Sequence, residues 1–175
     1  MGLLRHLLPI AALPFVVTVV VPFWIARANA INPALGVNAT ELALQIMGVG
    51  LLAIGLLLFA TSLRRFATEG NGTLAPWDPP RSLVVRGPYR YVRNPMISGV
   101  VFVLFGEALI LRSGPHAQWA TIFLLLNAVQ IPFFEEPQLR RRFGAAYAEY
   151  SQNVPRLIPR VRPWTPTSEA PTRRA

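Results

Sequence analysis

LALQIMGVGLLAIGLLLFATSL, Leu42 to Leu63, runs for 22 residues without a charge. A helix needs about 20 apolar residues, within a range of roughly 17–25, to cross the hydrocarbon of a bilayer. This stretch meets that length, and its Gly48, Gly50 and Gly55 suit close helix packing in a membrane. Three further stretches read the same way. Leu7 to Ala26 is uncharged, Pro95 to Leu111 carries only Glu107, and Ala117 to Phe134 is uncharged. Pro9, Pro14 and Pro22 break the first stretch, which is also too long for the h-region of a cleaved signal peptide. The expectation is an all-α membrane protein with about four spans, at 7–26, 42–63, 95–111 and 117–134.

Composition agrees. Of 175 residues, 53% are hydrophobic and 14% charged, where a soluble domain carries about 25% charge. Mean hydropathy is +0.40. All 17 basic residues are Arg, and 8 acids leave a net charge of +9. The absence of Cys excludes disulfides, thiolate metal sites and a Cys nucleophile. His6 and His116 are too few for a His-rich metal site, so no metal is expected. There is no GxGxxG and no P-loop, which excludes a Rossmann enzyme and a nucleotide-hydrolysing pump.

The arginines orient the bundle. Fourteen flank the expected spans on one side: Arg64, Arg65, Arg81, Arg86, Arg90 and Arg93 between spans two and three, and eight after span four. The other two connections hold one each, Arg27 and Arg112. Arg-rich loops stay in the cytoplasm, so both termini are expected there. Topology and anionic headgroups account for the charge, and no nucleic-acid module is present. An all-Arg basic set points, through codon usage rather than physics, to a bacterial inner membrane.

Between the spans lies RSLVVRGPYRYVRN, Arg81 to Asn94. Asn94-Pro95 is a helix start, with Asn as cap and Pro in the first turn. Pro137 is expected to begin a separate amphipathic helix, with Leu139, Phe143, Tyr147 and Tyr150 on one face. It lies at the membrane surface or docks on the bundle. Residues 1–162 read as a single membrane domain and 163–175, rich in Pro, Thr and Ser, as a disordered tail. Glu107 lies inside a span, where an ionisable group is a functional candidate by default. It is, however, about one turn from the outer end, near Arg112, where a structural role, reaching the interface or pairing with a polar group on another helix, is the reading preferred. Glu135 and Glu136 are either an ordinary solvated junction or a pair facing a cationic ligand.

GPYRYVRNPMISG (Gly87 to Gly99) followed by EEPQLRRRFGAAYAEYSQNVPRLIP (Glu135 to Pro159) resembles the isoprenylcysteine carboxyl methyltransferase family, to which the phospholipid methyltransferases are related. The resemblance covers residues 81–159, with motifs at 81–99 and 135–159. It implies an integral membrane methyltransferase that uses S-adenosylmethionine on a small lipophilic acceptor from the bilayer. By position, the resemblance carries cofactor contacts to Arg81, Ser82, Leu83, Val84, Tyr89, Arg93, Asn94, Pro95, Met96, Ile97, Glu135 and Glu136, with the site facing the cytoplasm. Methyl transfer asks chiefly for alignment, which supplies roughly 7–11 kcal/mol. An ionised carboxylate acceptor needs no general base. Three positions depart from the family pattern: Asn94 replaces a His, Ile97 a Tyr, and Ile131 the Arg of prenylcysteine-specific members. Two other readings stay open, an NADPH-dependent membrane reductase of related architecture and a non-catalytic protein that kept the scaffold.

Overall fold

The structure is a computed structural model that describes residues 13–69 and 83–165, with only the backbone at 66–69. Residues 1–12, with the start of the first expected span, residues 70–82, Arg81 and Ser82 among them, and residues 166–175 of the expected disordered tail lie outside the described residues. Every described element is helical. The helices are α1 (Leu13–Ala28), α2 (Ala39–Glu69), α3 (Pro95–Leu111), α4 (Gly114–Gln130) and α5 (Glu136–Asn153). A 3-10 turn, Gly87–Arg90, precedes α3. The hydrophobic stretch of α2, Ala39–Arg65, and the helical run Gly114–Asn153 are long and apolar enough to cross a membrane, while α1 and α3 are shorter apolar helices.

The fourth expected span and the amphipathic helix are not separate. They join in one 40-residue helical run through a π turn, Ile131–Glu135. Proline normally breaks a helix because it lacks an N–H and its ring strikes the preceding turn. Here the wider π turn lies immediately before Pro137 and takes up the mismatch. The chain therefore bends without stopping, and α5 begins at Glu136. Gly144, at φ 52°, puts a second kink inside α5, in a region open to glycine. Helix α1 solves the same problem in the same way. A π turn at Val16–Val20 precedes Pro22, and the Trp119 indole donates to the Val17 carbonyl at 3.0 Å. Trp119 is thus a structural donor, while Trp24 is exposed.

Helices α2 and α3 form a tight antiparallel hairpin. A Cβ on Gly48 would stand 2.8 Å from the Gly106 carbonyl, and one on Gly55 would stand 2.6 Å from that of Gly99. These two pairs let the backbones touch, as the sequence reading of span two expects. Gly50 is different, with nothing near its missing Cβ. Asn38 and Glu41 cap α2 reciprocally: Asn38 Oδ1 accepts from the Glu41 N–H at 2.9 Å, and Asn38 Nδ2 donates to Glu41 Oε1 at 3.0 Å. Glu41 also pairs with Arg112 and so ties this end of α2 to the end of α3.

Helix α3 is the centre of the molecule. Val100, Val101, Val103, Leu104 and Ala108 are buried along it. Val17, Phe59, Trp119 and Phe123 close around Val100, Leu104 and Ala120 from three neighbouring helices. The outer faces of α2 and α4 are apolar and bare, with Leu57 and Leu126 more than 60% exposed. Such faces fit a lipid environment, where the backbone bonds within each helix leave nothing polar to hydrate.

Candidate functional site

Both sequence motifs meet at the Asn94 end of α3. The Gly87–Arg90 turn brings the chain to that end, with Gly87 at φ 55°. After α5 the chain returns as an extended strap, Val154 to Thr165, which lies along residues 90–98. Main-chain bonds fasten it: Arg93 N–H to Pro155 O at 2.8 Å, Asn94 N–H to Arg156 O at 3.2 Å, Arg160 N–H to Tyr91 O at 3.0 Å, and Trp164 N–H to Arg90 O at 2.9 Å. The Ser98 hydroxyl donates to Leu157 O at 2.6 Å, and Tyr150 O–H to Tyr89 O at 2.7 Å. Arg90 Nε returns a bond to Trp164 O at 2.7 Å. The strap thus reaches beyond residue 162, and Trp164 packs its ring 5.8 Å from that of Tyr150.

The α5 face expected from its spacing forms as expected. Tyr147, Tyr150 and Val154 are buried together, with Leu83, Val85, Leu139, Phe143 and Trp164 packed on them. The face covers the strap and the segment leading to the 3-10 turn. Leu83 is therefore a packing contact, and Val84 beside it is half-buried.

The two adjacent glutamates have different environments. Glu136 is buried and fully committed. Arg93 Nη1 donates to its Oε1 at 2.8 Å, Arg156 Nε donates to the same oxygen at 2.6 Å, and Arg156 Nη2 donates to Oε2 at 3.1 Å. Burial pushes its pKa up, but the Arg156 hydrogen bond and the Arg93, Arg156 and Arg140 charges outweigh this and hold it below the ordinary carboxylate range. Glu135 is half-buried and has no hydrogen bond or ion pair to a described residue. Burial and then the neighbouring Glu136 charge raise its pKa, with Arg93 only partly opposing them. Burial, and then the charge of Glu135, push the Tyr89 hydroxyl well above its usual value. Two carboxylates side by side are thus driven apart, one into a fixed ion pair and one left open.

Asn94 holds the N-cap position of α3, but its side chain makes no cap. Its carbonyl accepts from Ser98 N–H at 2.9 Å, with the Ser98 hydroxyl oxygen 3.0 Å away. The side chain instead donates from Nδ2 to the Arg156 carbonyl at 3.3 Å. The cap expected from Asn-Pro is therefore a strap contact. Pro95 is buried in the first turn of α3, and Met96 and Ile97 beside it are half-buried. Arg93 Nε is buried without a partner among the described residues.

Sequence reasoning gathers Tyr89, Arg93, Asn94, Glu135 and Glu136, and they do converge. It misses Arg156 and Ser98, which fix the strap. The signal for Arg156 was the Val-Pro-Arg that closes the second motif.

Residues 44–146, more than half of the chain, match the family model for Phospholipid methyltransferase. The chain belongs to the phospholipid methyltransferase family. It is also 35% identical over 80 residues to Protein-S-isoprenylcysteine O-methyltransferase B of Arabidopsis thaliana, a match that covers 45% of this chain and 40% of that relative. The chain thus spans less than half of the length of the curated relative it matches. No solved structure matches.

Proposed function

We propose that this protein is an integral membrane methyltransferase that transfers a methyl group from S-adenosylmethionine to a small lipophilic acceptor drawn from the bilayer. The carrying observation is the open Glu135 carboxylate, held half-buried beside Tyr89 and Arg93 where the two motifs are fastened together. The donor set suits the cofactor. A cationic group needs a carboxylate, and Glu135 is unengaged. A carboxylate needs a donor, and the orphaned Arg93 Nε is one.

S-adenosylmethionine supplies, when bound, an electrophilic methyl group on a cationic sulfur. The chain's own residues bind, orient and exclude water. Glu135 offers negative charge in a partly desolvated place, where an ion pair is worth more than at an open surface. Glu136 holds Arg93 and Arg156 in place, so its role is positioning rather than contact. Asn94 pins the strap across the start of α3, and the Tyr147–Tyr150 cluster shields the strap from water. Leu83, Val84, Pro95, Met96 and Ile97 contribute apolar walls, and Arg81 and Ser82 stay assigned by family position alone. The acceptor arrives from the lipid side along the bare faces of the bundle. On this reading the membrane is a bacterial inner membrane and the site is cytoplasmic.

The reductase alternative asks for free arginines against phosphate. Arg90 is bound to Trp164 and Thr165, Arg93 shares its charge with Glu136, Arg86 is exposed and Arg81 lies outside the described residues, so no observation favours it.

Calorimetric titration of the detergent-solubilised chain with S-adenosylmethionine and S-adenosylhomocysteine tests the proposal. Saturable binding is expected, weakened about tenfold or more in Glu135→Gln, which corresponds to about 1.4 kcal/mol. A parent protein that binds neither compound sinks the proposal.

A further inference from the structure

Two buried side-chain polar atoms among the described residues have no hydrogen-bond partner, Arg93 Nε and Glu107 Oε2. The first belongs to the site above. The second lies thirteen residues along α3 from Asn94, about 20 Å along a helix axis. It borders a shallow, largely open pocket of about 390 Å³ between α1, α2, α3 and the first turn of α4. Val19, Phe23, Leu52 and Ile110 make its walls apolar.

The polar groups in that wall are already engaged. The Thr18 hydroxyl donates to Pro14 O at 2.8 Å. The Pro22 carbonyl can only accept, so His116 Nε2, 3.1 Å away, carries the ring proton there. The Ser113 hydroxyl is bonded to Nδ1 at 2.7 Å and also accepts from the His116 N–H. Both ring nitrogens of His116 are thus engaged, and it has no donor to spare. Glu107 therefore faces an apolar pocket with nothing in the wall to satisfy it. Glu107 is half-buried with its Oε2 buried, and a carboxylate oxygen held out of water is costly unless it is paired.

We propose that this pocket binds a cationic amphiphile, with a protonated amine against Glu107 and an apolar body along α1 and α2. Charge complementarity selects the amine. The volume, at the low end of the roughly 300–1,000 Å³ of ligand pockets, suits one short chain or a small ring system. The exposed Phe23 ring at the rim places the mouth on an apolar face, so the ligand enters from the bilayer. The pocket shares no residue with the motifs at the Asn94 end, and the proposal holds whatever the fate of the methyltransferase reading.

The test uses n-decylammonium as probe and n-decanol as control, and reads the thermal midpoint of the full chain in detergent at neutral pH. The parent is expected to show a saturable rise with n-decylammonium. Glu107→Gln should need at least ten times more probe for half-saturation, and n-decanol should give no saturable rise in either protein. Glu107→Gln should bind S-adenosylmethionine as the parent does, which separates the two sites. If Glu107→Gln fails to fold, Val19→Trp, at an exposed rim position, fills the pocket and keeps the carboxylate; it should abolish the saturable rise. The proposal is overturned by no saturable rise in the parent, by equal half-saturation in parent and Glu107→Gln, by n-decanol matching the amine, or by binding that survives Val19→Trp.

Discussion

Glu135 and Glu136 are neighbours with opposite expected behaviour. Glu136 bridges two arginines, so Glu136→Ala strands Arg93 in a buried place. The expected loss is about 3 kcal/mol, the low end for a buried pair because the Arg156 side chain is 37% exposed and screened. Its pKa is depressed in the folded state, so its contribution is complete above the ordinary carboxylate range. It is lost as the pH falls through the folded-state value. Unfolding in detergent across acidic pH should show that loss in the parent and not in Glu136→Ala. Glu135 is the reverse: a raised pKa stabilises the fold only when protonated, and that benefit is gone as the pH rises through the raised value. Glu135→Gln should therefore be as stable as the parent or more so at neutral pH. The parent should lose cofactor affinity on acidification, as Glu135 takes up a proton, and Glu135→Gln should remove that fall. Identical pH profiles for the two would refute the assignment of Glu135. The Asn94 side chain adds one donated bond to an Arg156 carbonyl that also accepts from the Asn94 N–H, so Asn94→Leu should cost about 0.5–1.5 kcal/mol. Asn94→His should keep cofactor affinity within tenfold. An Asn94→Leu protein with parent stability and affinity would remove Asn94 from the site.

At the scale of the element, the α2–α3 hairpin depends on the absence of side chains at two places. A leucine at Gly55 meets the Gly99 carbonyl and the Val103 backbone, and rigid backbone cannot yield as a side-chain tip can. Gly55→Leu should cost about 1–3 kcal/mol or more by overpacking. Gly50→Ala should cost nothing, because its Cβ enters open space. Thermal midpoints of the two variants in detergent check this; equal midpoints would mean that the helices are not in close contact. The joined run Gly114–Asn153 carries a related lesson. Proline placement alone suggests a stop at Pro137, and the π turn turns the stop into a bend. That bend carries Glu136 onto the strap.

For the whole molecule, the arginine asymmetry predicts both termini on the cytoplasmic side, with the strap, α5 and the candidate site beside them. Reporter fusions after Ala175 and near Asn32 should give opposite sides, with the C-terminal fusion inside. A C-terminal reporter outside the cytoplasm would separate the site from a cytoplasmic cofactor and break the functional proposal. The Glu107 pocket lies toward the other end of α3, so the two proposed sites would face opposite halves of the bilayer.

Hydrophobic run length and arginine position are local properties, so the sequence alone determined the apolar helices, the bounds of α3 and the motifs that carry the family. Period likewise determined the Leu139–Phe143–Tyr147–Tyr150 face. What the glutamates do was decided only by tertiary structure, because Arg93 and Arg156 are 43 and 20 residues from Glu136 and meet it through the strap. The same holds for Asn94, whose cap geometry is local but whose partner is the Arg156 carbonyl, 62 residues away. Glu107 repeats the pattern: its place in a span is written in the chain, while its lack of a partner depends on where the nitrogens of His116 are spent.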